Sequence, residues 1–66
     1  MSYMSELAYL KAERYRIRQR IRYNEQGMQR TFQRDNCRYL WYKCKVERYT
    51  QELRAVEAEI AQLLRL

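Results

Sequence analysis

The sequence predicts an all-α fold: a helical hairpin with a coiled-coil-like heptad seam, doubled into an antiparallel homodimeric four-helix bundle. Three observations carry this expectation. Apolar side chains recur at alternating spacings of 3 and 4 over most of the 66 residues, the period at which a helix keeps one stripe against a neighbour. The chain has no Pro and a single Gly, so little interrupts a helix. That Gly ends Asn24-Glu25-Gln26-Gly27, the only punctuation in the sequence.

The first helix is expected over about 3–25, on the stripe Tyr3, Leu7, Leu10, Arg14, Ile17, Ile21 and Asn24. Ser2 or Ser5 can cap it by accepting a hydrogen bond from one of its orphan backbone N–H groups. The turn is expected at about 24–28, with Gly27 closing the helix in the left-handed conformation. A longer helix over about 28–65 follows, on Met28, Phe32, Asp35, Tyr39, Tyr42, Val46, Tyr49, Leu53, Val56, Ile60 and Leu63. Asn24, Met28 and Phe32 are separated by 4 and 4, a break of phase beside the only Gly. Such a break marks either a stutter in one long helix or a reversal of direction, and reversal is favoured here.

Folding back about Gln26 sets Ile21 beside Phe32, Leu10 beside Tyr42, Leu7 beside Val46 and Tyr3 beside Tyr49. Arg14 and Asp35 then fall in adjacent layers with opposite charge, a pair that can fix register. Residues 14–23, RYRIRQRIRY, also alternate like a strand. Pairing that strand across the turn would set Ile21 opposite Arg30 and Ile17 opposite Arg34, mixing charge into the face a sheet must bury. Without a linker, repeat or low-complexity tract, residues 1–66 read as one domain.

In that register the first helix covers the second only to Tyr49, leaving Leu53, Val56, Ile60, Leu63, Leu64 and Leu66 without an internal partner. An apolar stripe in water marks an interface. The dimer contact is therefore expected on Tyr42, Val46, Tyr49, Leu53, Val56, Ile60 and Leu63. Flanking charges set its direction. Arg38 and Lys45 precede Glu52 and Glu59 at intervals of seven. An antiparallel partner centred near Tyr49 therefore opposes unlike charges, whereas a parallel one opposes like charges.

Composition excludes several chemistries. Without His there is no imidazole base, no Ser-His or Cys-His pair and no mixed Cys/His zinc site. A chain of 8.3 kDa has little core to spare for a substrate pocket. The expectation is a non-enzymatic protein with no catalytic residues, cofactor or metal. Cys37 and Cys44, seven apart, would lie about 10.5 Å from each other on a helix, too far for an intrachain disulfide. Two free thiols suit a reducing compartment. No apolar run reaches membrane-span length and the N-terminus lacks a signal-peptide stretch. These features point to the cytoplasm, that of the host if the protein is viral.

Two features are left over once the seam is removed. Cys37, Leu40, Trp41 and Cys44 make the second helix apolar on its outer side, with Trp41 suited to anchor a partner. Residues 1–49 carry 12 basic and 5 acidic side chains, a net of +7, against −1 for residues 50–66. The densest block is Lys11, Arg14, Arg16, Arg18, Arg20 and Arg22. Eleven Arg to three Lys favours planar, bidentate donors for carboxylate or phosphate. The partner site is accordingly expected on Leu40 and Trp41 with Arg16, Arg18, Arg20 and Arg22. The apolar residues beside the arginines favour an acidic protein surface. Nucleic acid held by Arg and interleaved Tyr is the alternative, as is a structural subunit of a larger virion-type assembly. In size and simplicity the chain is similar to small accessory proteins of phages and mobile elements, many of them inhibitors or adaptors, which is fold-level analogy alone.

Overall fold

Nothing between Tyr3 and Thr31 disfavours a helix enough to end it, and in the computed structural model, which describes residues 3–65, this whole stretch is one helix, α1 (Tyr3–Thr31). After a short turn, α2 (Asn36–Arg65) runs back along it. The strand-like residues 14–23 lie wholly within α1. The hairpin measures 49 × 14 × 13 Å, close to the roughly 44 Å expected of 29 helical residues.

The reversal falls at residues 32–35, not at 24–28, so the second helix is longer by a single residue: the two have 29 and 30 residues. Three local interactions place the turn. The carbonyl of Thr31 accepts hydrogen bonds from the backbone N–H of both Arg34 and Asp35, at 3.0 Å each, closing the last turn of α1. Gln33 takes the left-handed conformation, φ 62°, that the sequence suggested for Gly27. Asp35 then caps α2: its Oδ1 accepts from the Arg38 N–H at 3.0 Å, while its carbonyl accepts from the Tyr39 N–H at 2.9 Å. Asp35 is thus a cap whose carboxylate also lies 3.6 Å from the Arg38 guanidinium, and the expected pair with Arg14 does not form. Ser5 lies inside the first turn of α1 instead of ahead of it. Ser2, Leu66 and the Tyr3 side chain are outside the described residues.

Gly27 has a different task from ending a helix. It is buried within α1, and a Cβ placed on it would stand 2.6 Å from the ring of Tyr42. The missing side chain lets α2 bring that ring onto the α1 backbone. Thr31 Oγ1 donates to the Gly27 carbonyl at 2.8 Å, so its hydroxyl is satisfied inside the helix and its methyl can face α2. The covered positions therefore run Asn24, Met28, Thr31, keeping the spacing of 4 and 3, while Phe32 points outward at 55% exposure. The break of phase read from Phe32 is absent.

Moving the turn changes what α1 covers. Leu7 and Leu10 pack with Ile60, at 8%, 6% and 4% exposure, with Val56 and Leu63 against them. Leu10 thus meets Ile60, not Tyr42. Tyr42, Val46, Tyr49, Leu53, Val56, Ile60 and Leu63, assigned from sequence to a dimer contact, are the buried or half-buried positions of α2 within one hairpin. Their stripe is not left bare, because α1 is roughly two turns longer than the sequence suggested. Ile17, at 4%, continues the core toward mid-length, and Asn24, at 6%, donates from Nδ2 to the Arg20 carbonyl at 2.7 Å.

Two predictions follow from the turn and the close approach. Gly27→Ala should destabilise the hairpin by about 1 kcal/mol: the gain of about 1 kcal/mol in helix propensity is outweighed by an overpacking cost of about 1–3 kcal/mol. In a Tyr42→Ala background the same change should become stabilising, as urea unfolding followed by circular dichroism would report. Gln33→Gly should raise stability by about 0.5–1 kcal/mol by relieving the left-handed backbone, net of the flexibility Gly adds to the unfolded chain. A lower unfolding midpoint for that variant would place the left-handed residue elsewhere.

Candidate interaction surface

Two packed helices have two long edges, one on either side of the buried stripe, and the basic residues of α1 divide between them. Neighbours two apart on a helix point about 200° from each other, so Arg16 and Arg20 line one edge while Arg18 and Arg22 line the other. On α2, Trp41 faces the Arg20 edge, and Leu40, one residue back, turns about 100° further from the seam onto the outer side of the helix. The six residues expected to form one partner site are therefore not brought together. Trp41, Arg16 and Arg20 share one edge, Arg18 and Arg22 lie on the other, and Leu40 points to the outer side of α2.

The Trp41 edge holds the more developed surface. A groove there is lined by Gln19, Arg20, Tyr23, Asn24, Trp41, Lys45 and Tyr49. Trp41 is 55% exposed, and its ring meets Tyr42 edge-on, with centroids 5.0 Å apart and planes at 73°. Lys45 Nζ lies 5.3 Å from the Trp41 ring centre, and the Arg20 guanidinium carbon 5.7 Å from that of Tyr49. Each cation sits against an aromatic face, an arrangement worth roughly 0.5–1 kcal/mol at an exposed site. Tyr23, 61% exposed, adds a third ring. Ring faces with guanidinium and ammonium groups over them can receive carboxylates or phosphates.

From sequence Lys45 stood out only as a charge flanking the seam, and Tyr23 only as a stacking residue of the nucleic-acid alternative, although helical spacing pointed to both as neighbours in this groove. Lys45 lies four residues after Trp41 and Tyr23 three after Arg20, the distances at which side chains on one helix meet. The same edge changes sign along its length. Toward the termini, a second groove is lined by Glu6, Leu10, Glu59, Gln62, Leu63 and Arg65.

The Arg18 edge is more closed at mid-length. Arg18 pairs with Glu57 across the helices at 3.4 Å, the one ion pair joining α1 to α2 among the described residues. Both groups are about half exposed, so the pair contributes at most about 1 kcal/mol. Near the turn, the rings of Phe32 and Tyr39 meet at a tilt of 58° with centroids 5.6 Å apart, and Met28 lies beside them. Cys37 and Cys44 are exposed free thiols on the outer side of α2.

Among the described residues no three His, Cys, Asp or Glu side chains converge as a metal site would require, and no helix is long and apolar enough to cross a membrane. Compared with known proteins, the chain matches no family model, no curated protein and no solved structure.

Proposed function

We propose that the chain is a non-enzymatic protein–protein interaction module, a coiled-coil hairpin that docks an acidic surface on its Trp41 edge. The observation that carries this reading is the groove of Arg20, Tyr23, Trp41, Lys45 and Tyr49. Trp and Tyr supply large contact area at little cost in side-chain entropy, and Arg supplies directed donors, the combination that dominates protein interface hot spots. The spacing of 3 and 4 between covered positions on both helices supports the coiled-coil description. Binding rather than catalysis fits an edge that is a shallow, open groove with cations already seated on rings.

A second reading has its own support. Tyr9, Tyr15 and Tyr23 are each more than 60% exposed beside the arginines of α1, and stacked bases with phosphates could use them. Trp41 separates the two readings. Half-exposed in the groove it shares with Arg20 and Lys45, it is an apolar anchor that serves a protein surface better than a phosphate backbone.

The test is a pair of titrations of the full chain, followed by calorimetry at physiological salt: one with a glutamate-rich peptide, one with single-stranded oligothymidine. The acidic peptide should bind, and Trp41→Ala combined with Arg20→Ala should weaken it at least about tenfold, a loss of about 1.4 kcal/mol. Tighter binding of the oligonucleotide, steeply salt-dependent and unmoved by Trp41→Ala, would replace this reading with the nucleic-acid one.

A further inference from the structure

We infer that the acidic surface taken by the Trp41 edge is that same edge of a second copy of this chain, turned end for end about a two-fold axis near mid-length. This rests on the reading of the Trp41 edge as a docking surface and names its occupant.

The charges along the edge carry the argument. On α1 the positions seven apart are Glu6, Glu13 and Arg20; on α2 they are Arg38, Lys45, Glu52 and Glu59. Because the helices are antiparallel, Glu6 and Glu13 come level with Glu59 and Glu52, as the groove shared by Glu6 and Glu59 shows. Arg20 likewise shares its groove with Lys45. Each half of the edge thus repeats one sign on both helices: acidic toward the termini, basic toward the turn. Arg65 in the acidic groove, Arg16, which pairs with Glu13 at 3.1 Å, and Asp35, whose carboxylate lies 3.6 Å from the Arg38 guanidinium, soften the pattern without inverting it. No ion pair joins α1 to α2 along this edge among the described residues; the only such pair, Arg18–Glu57, lies on the opposite edge.

Like charges facing each other across a seam repel, so this layout does nothing for a lone hairpin. A copy turned end for end resolves it at both ends together, setting Glu52 and Glu59 against Lys45 and Arg38, and Glu6 and Glu13 against the Arg20 half. A parallel copy would oppose like with like, so the edge also selects direction.

The areas agree. The hairpin exposes 5540 Å², where a compact monomer of 8.3 kDa would expose about 4,600 Å². An edge about 49 Å long and 14 Å wide has a footprint of about 700 Å² per chain, room enough for an interface of the standard size class. Tyr9, Tyr23 and Trp41, exposed at 62%, 61% and 55%, lie along this edge and would be covered. The result is a four-helix bundle whose shared core lies on the Trp41 edge, flanking the stripe that each hairpin buries by itself.

Complementary charge reversal tests the proposal by sedimentation equilibrium on full-length chains, with helicity monitored by circular dichroism. One variant carries Glu6→Lys, Glu52→Lys and Glu59→Lys; the other carries Arg20→Glu, Arg38→Glu and Lys45→Glu. Wild type should be a dimer at about 100 μM, each variant alone a monomer, and the equimolar mixture a 1:1 heterodimer. Trp41, the only Trp, gives an independent readout in the unaltered protein. Its emission should shift to the red as the dimer is diluted apart, whether or not the variants fold.

A wild type that stays monomeric at that concentration, yet loses binding of a glutamate-rich peptide on Trp41→Ala, overturns the self-pairing and leaves the docking surface standing. A monomer indifferent to Trp41→Ala overturns both. A dimer whose Trp41 emission does not change on dilution is built on another face, and that too overturns the proposal.

Discussion

Two helices laid side by side can bury one stripe each and no more, and this constraint organises the whole molecule. Among the described residues the buried hydrophobic side chains are Leu7, Leu10, Ile17 and Ile60, and each keeps 4–8% of its surface exposed. A core of this size gives little margin for a chain of 66 residues. Helices of nearly equal length extract the most from it, since every turn of α2 then has a turn of α1 opposite. Gly27 extends the same economy toward the turn, where a bare backbone accepts the face of Tyr42 and a large ring is half-buried without a third helix. What lies outside the two stripes stays in solvent, Trp41, Phe32 and Leu40 included, each at 55% exposure.

The polar residues within the stripes follow from the same constraint. A seam open to water along both edges tolerates side chains that a globular core would exclude. Arg14 sits half-buried with its long stem available to cover apolar surface. Asn24 is fully covered yet satisfied, because its amide donates to the carbonyl one turn back. Thr31 does the same with its hydroxyl. Asn24 and Thr31 resolve their own hydrogen bonding within α1 and ask nothing of α2, so neither obliges a particular partner across the seam. Register is left to shape: the Gly27–Tyr42 approach at one end and the Leu7–Leu10–Ile60 cluster at the other.

Periodicity made the helices and their covered positions legible, because a spacing of 3 and 4 has no competing explanation over so long a run. Leu7, Leu10, Arg14, Ile17, Ile21 and Asn24 on α1, with Tyr39 through Leu63 on α2, all face the seam as the pattern indicates. The turn was not legible, for three separable reasons. Gly27 serves close packing as readily as it serves a cap, and sequence does not distinguish the two. Thr31 is polar by name but apolar by the face it presents once its hydroxyl bonds backward, so the stripe was continued through Phe32 instead. The left-handed residue is Gln33, a type seldom found in that conformation, which only the flanking bonds to the Thr31 carbonyl and the Asp35 cap account for. One displaced turn moved every cross-helix pair and made a covered stripe look bare. At the candidate surface, Trp41 and the arginines stood out by composition; their division between two edges required the register.

That register also explains why the two edges differ in kind. On one edge the long side chain of Arg18 reaches Glu57 of α2, and the hairpin closes on itself with an ion pair. On the other, acidic residues of both helices gather toward the termini and basic residues toward the turn. The same side chains redistributed along that edge could have paired within the chain, as they do opposite. In the proposed dimer, repulsion kept inside each hairpin would become complementarity between two hairpins turned end for end. Size and charge layout then point the same way. The chain is too small to cover its own aromatic residues, and the edge that bears Trp41 carries both halves of the charge pattern needed to cover them with a copy of itself.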